Sequence, residues 1–244
     1  MAAVRRKDDA EAVRLLRAEL ASHPDNVRAR RLLVRVLAAS GDLAAARAEV
    51  TELERLLPDK DPTPLVELGH AYELAHRFEE ALGAYDDAAA LAPSSPVGPR
   101  EGGLRAARWG EVEVALPRLE EAVRRGAADA ETLHALGLVR LHSGDAAGAS
   151  AAYRQGLAAD PEAVENWLGL ATVALHERDW AAALSAYDNL LRRRPRHASA
   201  ELGRAYALAR LGRVEEARRA LERAESLGAP AAAIQKQRAA LASP

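Results

Sequence analysis

The chain has 244 residues, with 34 basic against 36 acidic side chains for a formal net charge of −2, and no cysteine. That balance excludes bulk electrostatic attraction to nucleic acid, and the missing thiols exclude disulfides, thiolate metal sites and a cysteine nucleophile. Hydrophobic residues make up 49% but aromatics only 4%, so the interior has to be alanine and leucine packed between closely approaching helices. No stretch alternates with period two over a strand's length and none is a membrane-length apolar run, so neither a sheet nor direct membrane insertion is expected.

Residues 8–22 read as an amphipathic helix with Val13, Leu16 and Leu20 on one side. It forms the second half of a unit spanning 1–26, whose first helix is missing or reduced to residues 1–6. The next unit, 27–61, holds a helix from Val27 to Ala39, a Ser40-Gly41-Asp42 turn and a helix to Leu57 stopped by Pro58. Gly41 frees the turn and Asp42 is placed to cap the helix that follows. Unit 62–95 opens its second helix with Phe78. Unit 96–129 has to build its first helix through Pro96, Gly98, Pro99, Gly102 and Gly103, which predicts a short or irregular element. Its Pro117 falls in the opening turns of the second helix. Units 130–163, 164–197 and 198–231 follow, with Leu-Gly pairs at 168/169 and 202/203 set two residues early, and residues 230–244 read as a last helix whose polar side caps the stack.

What joins these units is an alanine followed one helical turn later by a large apolar side chain. The pairs are Ala12/Leu16, Ala46/Val50, Ala81/Tyr85, Ala115/Leu119, Ala149/Tyr153, Ala183/Tyr187 and Ala217/Leu221, at intervals of 34, 35, 34, 34, 34 and 34 residues. A fixed period of this size means hairpins that bury their apolar faces against one another. Leu68-Gly69-x2-Tyr72, then Ala81-x3-Tyr85, then Pro93, with Trp167 and Trp180 in corresponding places further on, resembles the tetratricopeptide repeat family. The resemblance implies an all-α, right-handed superhelical solenoid of antiparallel helix hairpins, a bacterial-type array of about six repeats.

No GxSxG, HExxH, phosphate-cradling or dinucleotide glycine motif is present, so no enzyme, cofactor or catalytic residue is expected. Glutamate pairs such as Glu79/Glu80 read as solvated helix faces. His134 and His142 are too far apart on one helix to share a metal ion, and no Asp or Cys joins His142 and His176 in register. By the resemblance, the first helix of each repeat lines an inner groove. The positions carried over are Arg28, Arg31 and Arg35; His70 and Glu73; Arg100 and Arg108; His134 and His142; Thr172 and His176; Tyr206 and Arg210. Arginine forks suit carboxylates, so the expected partner is an acidic or C-terminal peptide segment held by a non-catalytic scaffold. The carboxylate clamp of the family's chaperone-binding version needs asparagine at groove positions, and Asn26, Asn166 and Asn189 occupy none of them. Two other readings stand beside this one: self-association or docking through the edge of the 8–22 helix, and a cell-envelope assembly factor similar to type IV pilus secretin pilotins. The expected compartment is the cytoplasm, or the periplasm if a leader is removed.

Overall fold

The structure is a computed structural model that describes residues 2–242, with side chains from 8 to 241. All fourteen elements are α-helices, and there is no strand among the described residues. The helices fall into two compact units, one ending at Ala127 and one beginning at Ala128.

The first unit contains α1 (Ala2–Ser22), α2 (Val27–Ala39), α3 (Leu43–Leu56), α4 (Thr63–Leu74), α5 (Phe78–Leu91), α6 (Val97–Trp109) and α7 (Val112–Arg124). Consecutive helices α2/α3, α4/α5 and α6/α7 form hairpins, and α1 packs on α2. The second unit contains α8 (Ala130–His142), α9 (Ala146–Ala159), α10 (Val164–His176), α11 (Trp180–Arg193), α12 (Ala198–Arg210), α13 (Val214–Ser226) and α14 (Ala231–Ala242). Here α8/α9, α10/α11 and α12/α13 are the hairpins, and α14 lies against α13 and α12.

Local chemistry starts and stops the helices. Asn26, Asp42, Asp129, Asp145 and Asp179 each accept a hydrogen bond from the backbone N–H three residues on, satisfying a donor that the first helical turn leaves without a partner. Gly41 takes φ +91° to turn the chain from α2 into α3.

The periodic alanines are the centres of packing. Ala46, Ala81, Ala115, Ala149, Ala183 and Ala217 are fully buried, and Val50, Tyr85, Leu119, Tyr153, Tyr187 and Leu221 are buried beside them. The first pair differs: Ala12 and Leu16 are only half-buried, on a helix that packs on α2. Leu15 on its other side is 54% exposed.

Three expectations need correction. The helix predicted over 8–22 begins at Ala2, so residues 2–6 belong to it; Met1 lies outside the described residues. The helix predicted to be short or irregular is the regular 13-residue α6. Pro96 is its N-cap and Pro99 lies in its first turn, where no N–H is needed, and the glycines permit close contact. A Cβ on Gly98 would strike the Ala89 backbone of α5, and one on Gly103 would strike Leu119 of α7. Pro117 stands in the interior of α7, which continues past it to Arg124. The displaced Leu-Gly pairs lie inside α10 and α12, which are 13 residues each. Gly169 and Gly137 both lie against the Tyr153 ring, and Gly203 lies against that of Tyr187.

Candidate functional site: a polar recess in the first unit

In the first unit the leading helices of the hairpins, α2, α4 and α6, form one wall, and charged side chains link them across it. Glu67 of α4 is fully buried. Arg31 Nε donates to its Oε1 at 2.8 Å, while Arg35 donates from Nε to Oε2 at 2.7 Å and from Nη2 to Oε1 at 2.8 Å. His70 stands between two carboxylates, with Nδ1 3.5 Å from Glu67 Oε2 and Nε2 3.3 Å from Glu101 Oε2. On α6, Arg105 Nε donates to Glu73 Oε2 at 2.7 Å, its Nη2 lies 3.1 Å from Glu101 Oε2, and Arg100 Nη1 donates to Glu101 Oε1 at 3.1 Å.

This wiring decides the protonation states. Burial is the largest influence on Glu67 and would raise its carboxyl, but hydrogen bonds from His70, Arg35 and Arg31 outweigh it and hold the group at about 2, against an ordinary 4.5. Burial likewise pushes His70 down, yet Glu101 and Glu67 together carry it above 6.5, with Arg35 opposing. Glu101 is lowered, first by its hydrogen bond with His70.

The network borders an open recess of about 800 Å³ lined by Arg35, Ala39, His70, Glu73, Leu74, His76, Phe78, Glu101 and Arg105. Four arginines (31, 35, 100 and 105) face three glutamates (67, 73 and 101), so the wall keeps an excess positive charge. Arg28 and Arg108 extend it; both are exposed and neither makes an ion pair among the described residues.

Of the sequence-derived groove positions, Arg31, Arg35, His70, Glu73 and Arg100 meet in this network. The first two are occupied forks, held by Glu67, and not the open arginines that the sequence suggested. The candidates of the second unit, His134, His142, Thr172, His176, Tyr206 and Arg210, form no such network among the described residues. His134 is half-buried with its ring 5.7 Å from Tyr153, its Nδ1 has no hydrogen-bond partner, and burial lowers its pKa. His142 and His176 are exposed, and Thr172 Oγ1 donates to the Leu168 carbonyl at 2.9 Å. Tyr206 meets the Trp180 ring edge-on at 6.0 Å, and Arg210 lies over the same ring at 4.8 Å. Sequence reasoning missed Glu67, Glu101 and Arg105. One signal was available: Glu67 and Glu101 lie one 34-residue period apart, so they repeat a position rather than fall at random. The three asparagines are engaged elsewhere, Asn26 as a cap, Asn166 on the Ala130 carbonyl and Asn189 on the Ser185 carbonyl. No group of three or more His, Asp or Glu side chains is assembled to hold a metal ion among the described residues.

Helical hairpins repeating every 34 residues, each holding a buried alanine against a large neighbour, define a helical-repeat protein of the kind that presents surface to partners. Two models of the tetratricopeptide repeat match, one over residues 101–164, 134–187 and 168–232 and the other over 3–66. The chain belongs to the tetratricopeptide repeat family. An Hsp70-Hsp90 organizing protein from Triticum aestivum is 41% identical over 93 residues, which is 38% of this chain and 16% of that protein. Among solved structures, YrrB, described as a TPR protein with an unusual peptide-binding site, superposes with a TM-score of 0.67 at 18% identity, over 78% of this chain and 97% of that one. The C-terminal part of a TPR repeat-containing protein from Cytophaga hutchinsonii gives 0.71 at 14% identity, over 93% and 94%. MamA gives 0.62 at 18% identity, over 71% and 97%. These identities speak for the fold alone. Proteins of this family mediate protein–protein interactions.

Proposed function

We propose that the chain is a non-catalytic scaffold that binds an acidic segment, or a free C-terminal carboxylate, of a partner protein against the α2/α4/α6 wall. The observation that carries this reading is the wall beside the recess of about 800 Å³, on which Arg31, Arg35, Arg100 and Arg105 outnumber Glu67, Glu73 and Glu101. Because Arg31 and Arg35 are tied to Glu67, the forks are held rigid, and a ligand carboxylate meets a pre-set surface instead of ordering long side chains itself. The exposed charges of α2 and α6, Arg28 and Arg108, add attraction that salt screens. YrrB, a similar fold with a described peptide-binding site, gives the reading a precedent in kind.

The test is an array of short peptides graded in Asp and Glu content, probed with wild type and with Arg28→Glu/Arg108→Glu. Neither arginine has an ion-pair partner among the described residues, so the double reversal changes the wall's charge without stranding Glu67. Binding that rises with acidic content, weakens with ionic strength and falls several-fold in the variant supports the reading, each rim charge being worth about 0.2–1 kcal/mol. Binding indifferent to peptide charge would sink it.

A further inference from the structure

Beside the polar recess, and sharing Phe78 with it, lies a second hollow of about 570 Å³ lined by Phe78, Glu79, Leu82, Trp109, Glu111 and Val114. Its floor is apolar. Phe78, the first residue of α5, is 42% exposed, and its ring lies 4.6 Å from that of Trp109 at the end of α6. An aromatic pair in van der Waals contact would ordinarily be covered; here one face of it meets solvent.

The repeat supplies internal comparisons. The positions of Phe78 and Trp109 are held by Leu43 and Ala75 in the preceding hairpins, by Ala146 and Glu177 at the start of the second unit, and by Trp180 and Leu211 further on. Where a large ring does recur, at Trp180, Arg210 lies over it at 4.8 Å and occupies its face. Packing of the array therefore does not call for an aromatic pair at this place. The rim is acidic: Glu79 and Glu111 are exposed, neither makes an ion pair, and Glu111 does not use its side chain to cap α7. The recess that shares Phe78 carries Arg35, His70 and Arg105 together with Glu73 and Glu101.

We propose that this notch anchors a large apolar side chain, aromatic or leucine-like, on a partner segment that carries a lysine or arginine beside it. The apolar group covers the Phe78 and Trp109 rings, where aromatic burial contributes most, and the cation meets Glu79 and Glu111. The inference rests on the reading that the first unit receives a partner segment, and it adds the segment's polarity: acidic toward Arg35 and Arg105, apolar at Phe78, basic beyond it.

The experiment is selection of random linear peptides displayed on phage against the immobilised full chain, followed by affinity measurement of the winners on variants. Selected peptides are expected to pair an aromatic or leucine with a neighbouring Lys or Arg, and Phe78→Ala is expected to weaken them about thirtyfold. Glu79→Lys/Glu111→Lys, which alters only exposed side chains, should shift selection to Asp or Glu beside the same apolar residue. Winners without the pattern, or winners that bind Phe78→Ala as well as wild type, overturn the proposal. So does concentration-dependent self-association of the wild type that Phe78→Asp abolishes, since the notch would then belong to a second copy. Acidic-peptide binding that survives Phe78→Ala while the anchor is absent would leave the recess reading standing alone; anchoring without any acidic preference would do the reverse.

Discussion

Glu67 is the residue on which the wall turns. A buried carboxylate is tolerated because three donors converge on it, and the same arrangement makes its partners unequal to other arginines. Removing the partners of a buried charge destabilises by about 3–5 kcal/mol, so Arg31→Glu/Arg35→Glu is expected to lose stability on that scale in urea unfolding. Arg28→Glu/Arg108→Glu, at exposed and unpaired positions, is expected to stay within about 0.5 kcal/mol of wild type. Titration tests the same wiring. His70, raised by Glu101 and Glu67 against the pull of burial, should show an NMR midpoint above 6.5, and His134, lowered by burial, should fall below it. The linkage has a definite sign. The contribution of His70 is complete below 6.5 and fades as pH rises through its folded value, while that of Glu67 is complete above 4.5 and fades as pH falls toward about 2. The stabilising effect of the pair is therefore greatest between pH 4.5 and 6.5, and His70→Gln should remove the alkaline limb and weaken the acid one, because His70 also helps to hold Glu67 down.

At the scale of the helices, glycine separates two kinds of position. Gly169 lies against the Tyr153 ring, which is itself only 1% exposed and is also met by Gly137. Gly169→Ala therefore overpacks a filled slot and is expected to cost about 1–3 kcal/mol. Gly83, in the middle of α5, has open space where a Cβ would stand, so Gly83→Ala should stabilise by up to about 1 kcal/mol through helix propensity; paired thermal melts check both signs. The same contrast explains what could be read in advance. The alanine pairs fixed the number and order of the hairpins because packing at Ala46, Ala81 and their equivalents leaves no room for anything larger. The glycines of α6 misled because propensity counts their cost inside a helix and is blind to Ala89 and Leu119 on the neighbouring helices. The groove arginines were found by position, yet their engagement by Glu67 was hidden: a glutamate on a helix is usually solvated, and only its distance across to α2 shows otherwise.

For the molecule as a whole, the question is how far a local injury travels. In a repeat array each hairpin touches only its neighbours, so stability is close to a sum of hairpin and interface terms. The first unit has a core around Leu33, Leu53 and Val50, and the second has its own around Leu190, Leu208 and Leu221. Leu53→Ala and Leu221→Ala each empty a fully packed site and should cost about 2–5 kcal/mol locally. Hydrogen exchange read by mass spectrometry is expected to place the damage differently. Leu221→Ala should deprotect α12, α13 and α14 first and leave α2 to α5 near their wild-type rates, and Leu53→Ala should do the opposite. If either substitution instead lowers protection evenly from α2 to α13, the cores act as one cooperative body. A partner bound on the first unit would then stabilise the second as well, whereas independent units would confine that protection to the α2/α4/α6 wall and its hairpins.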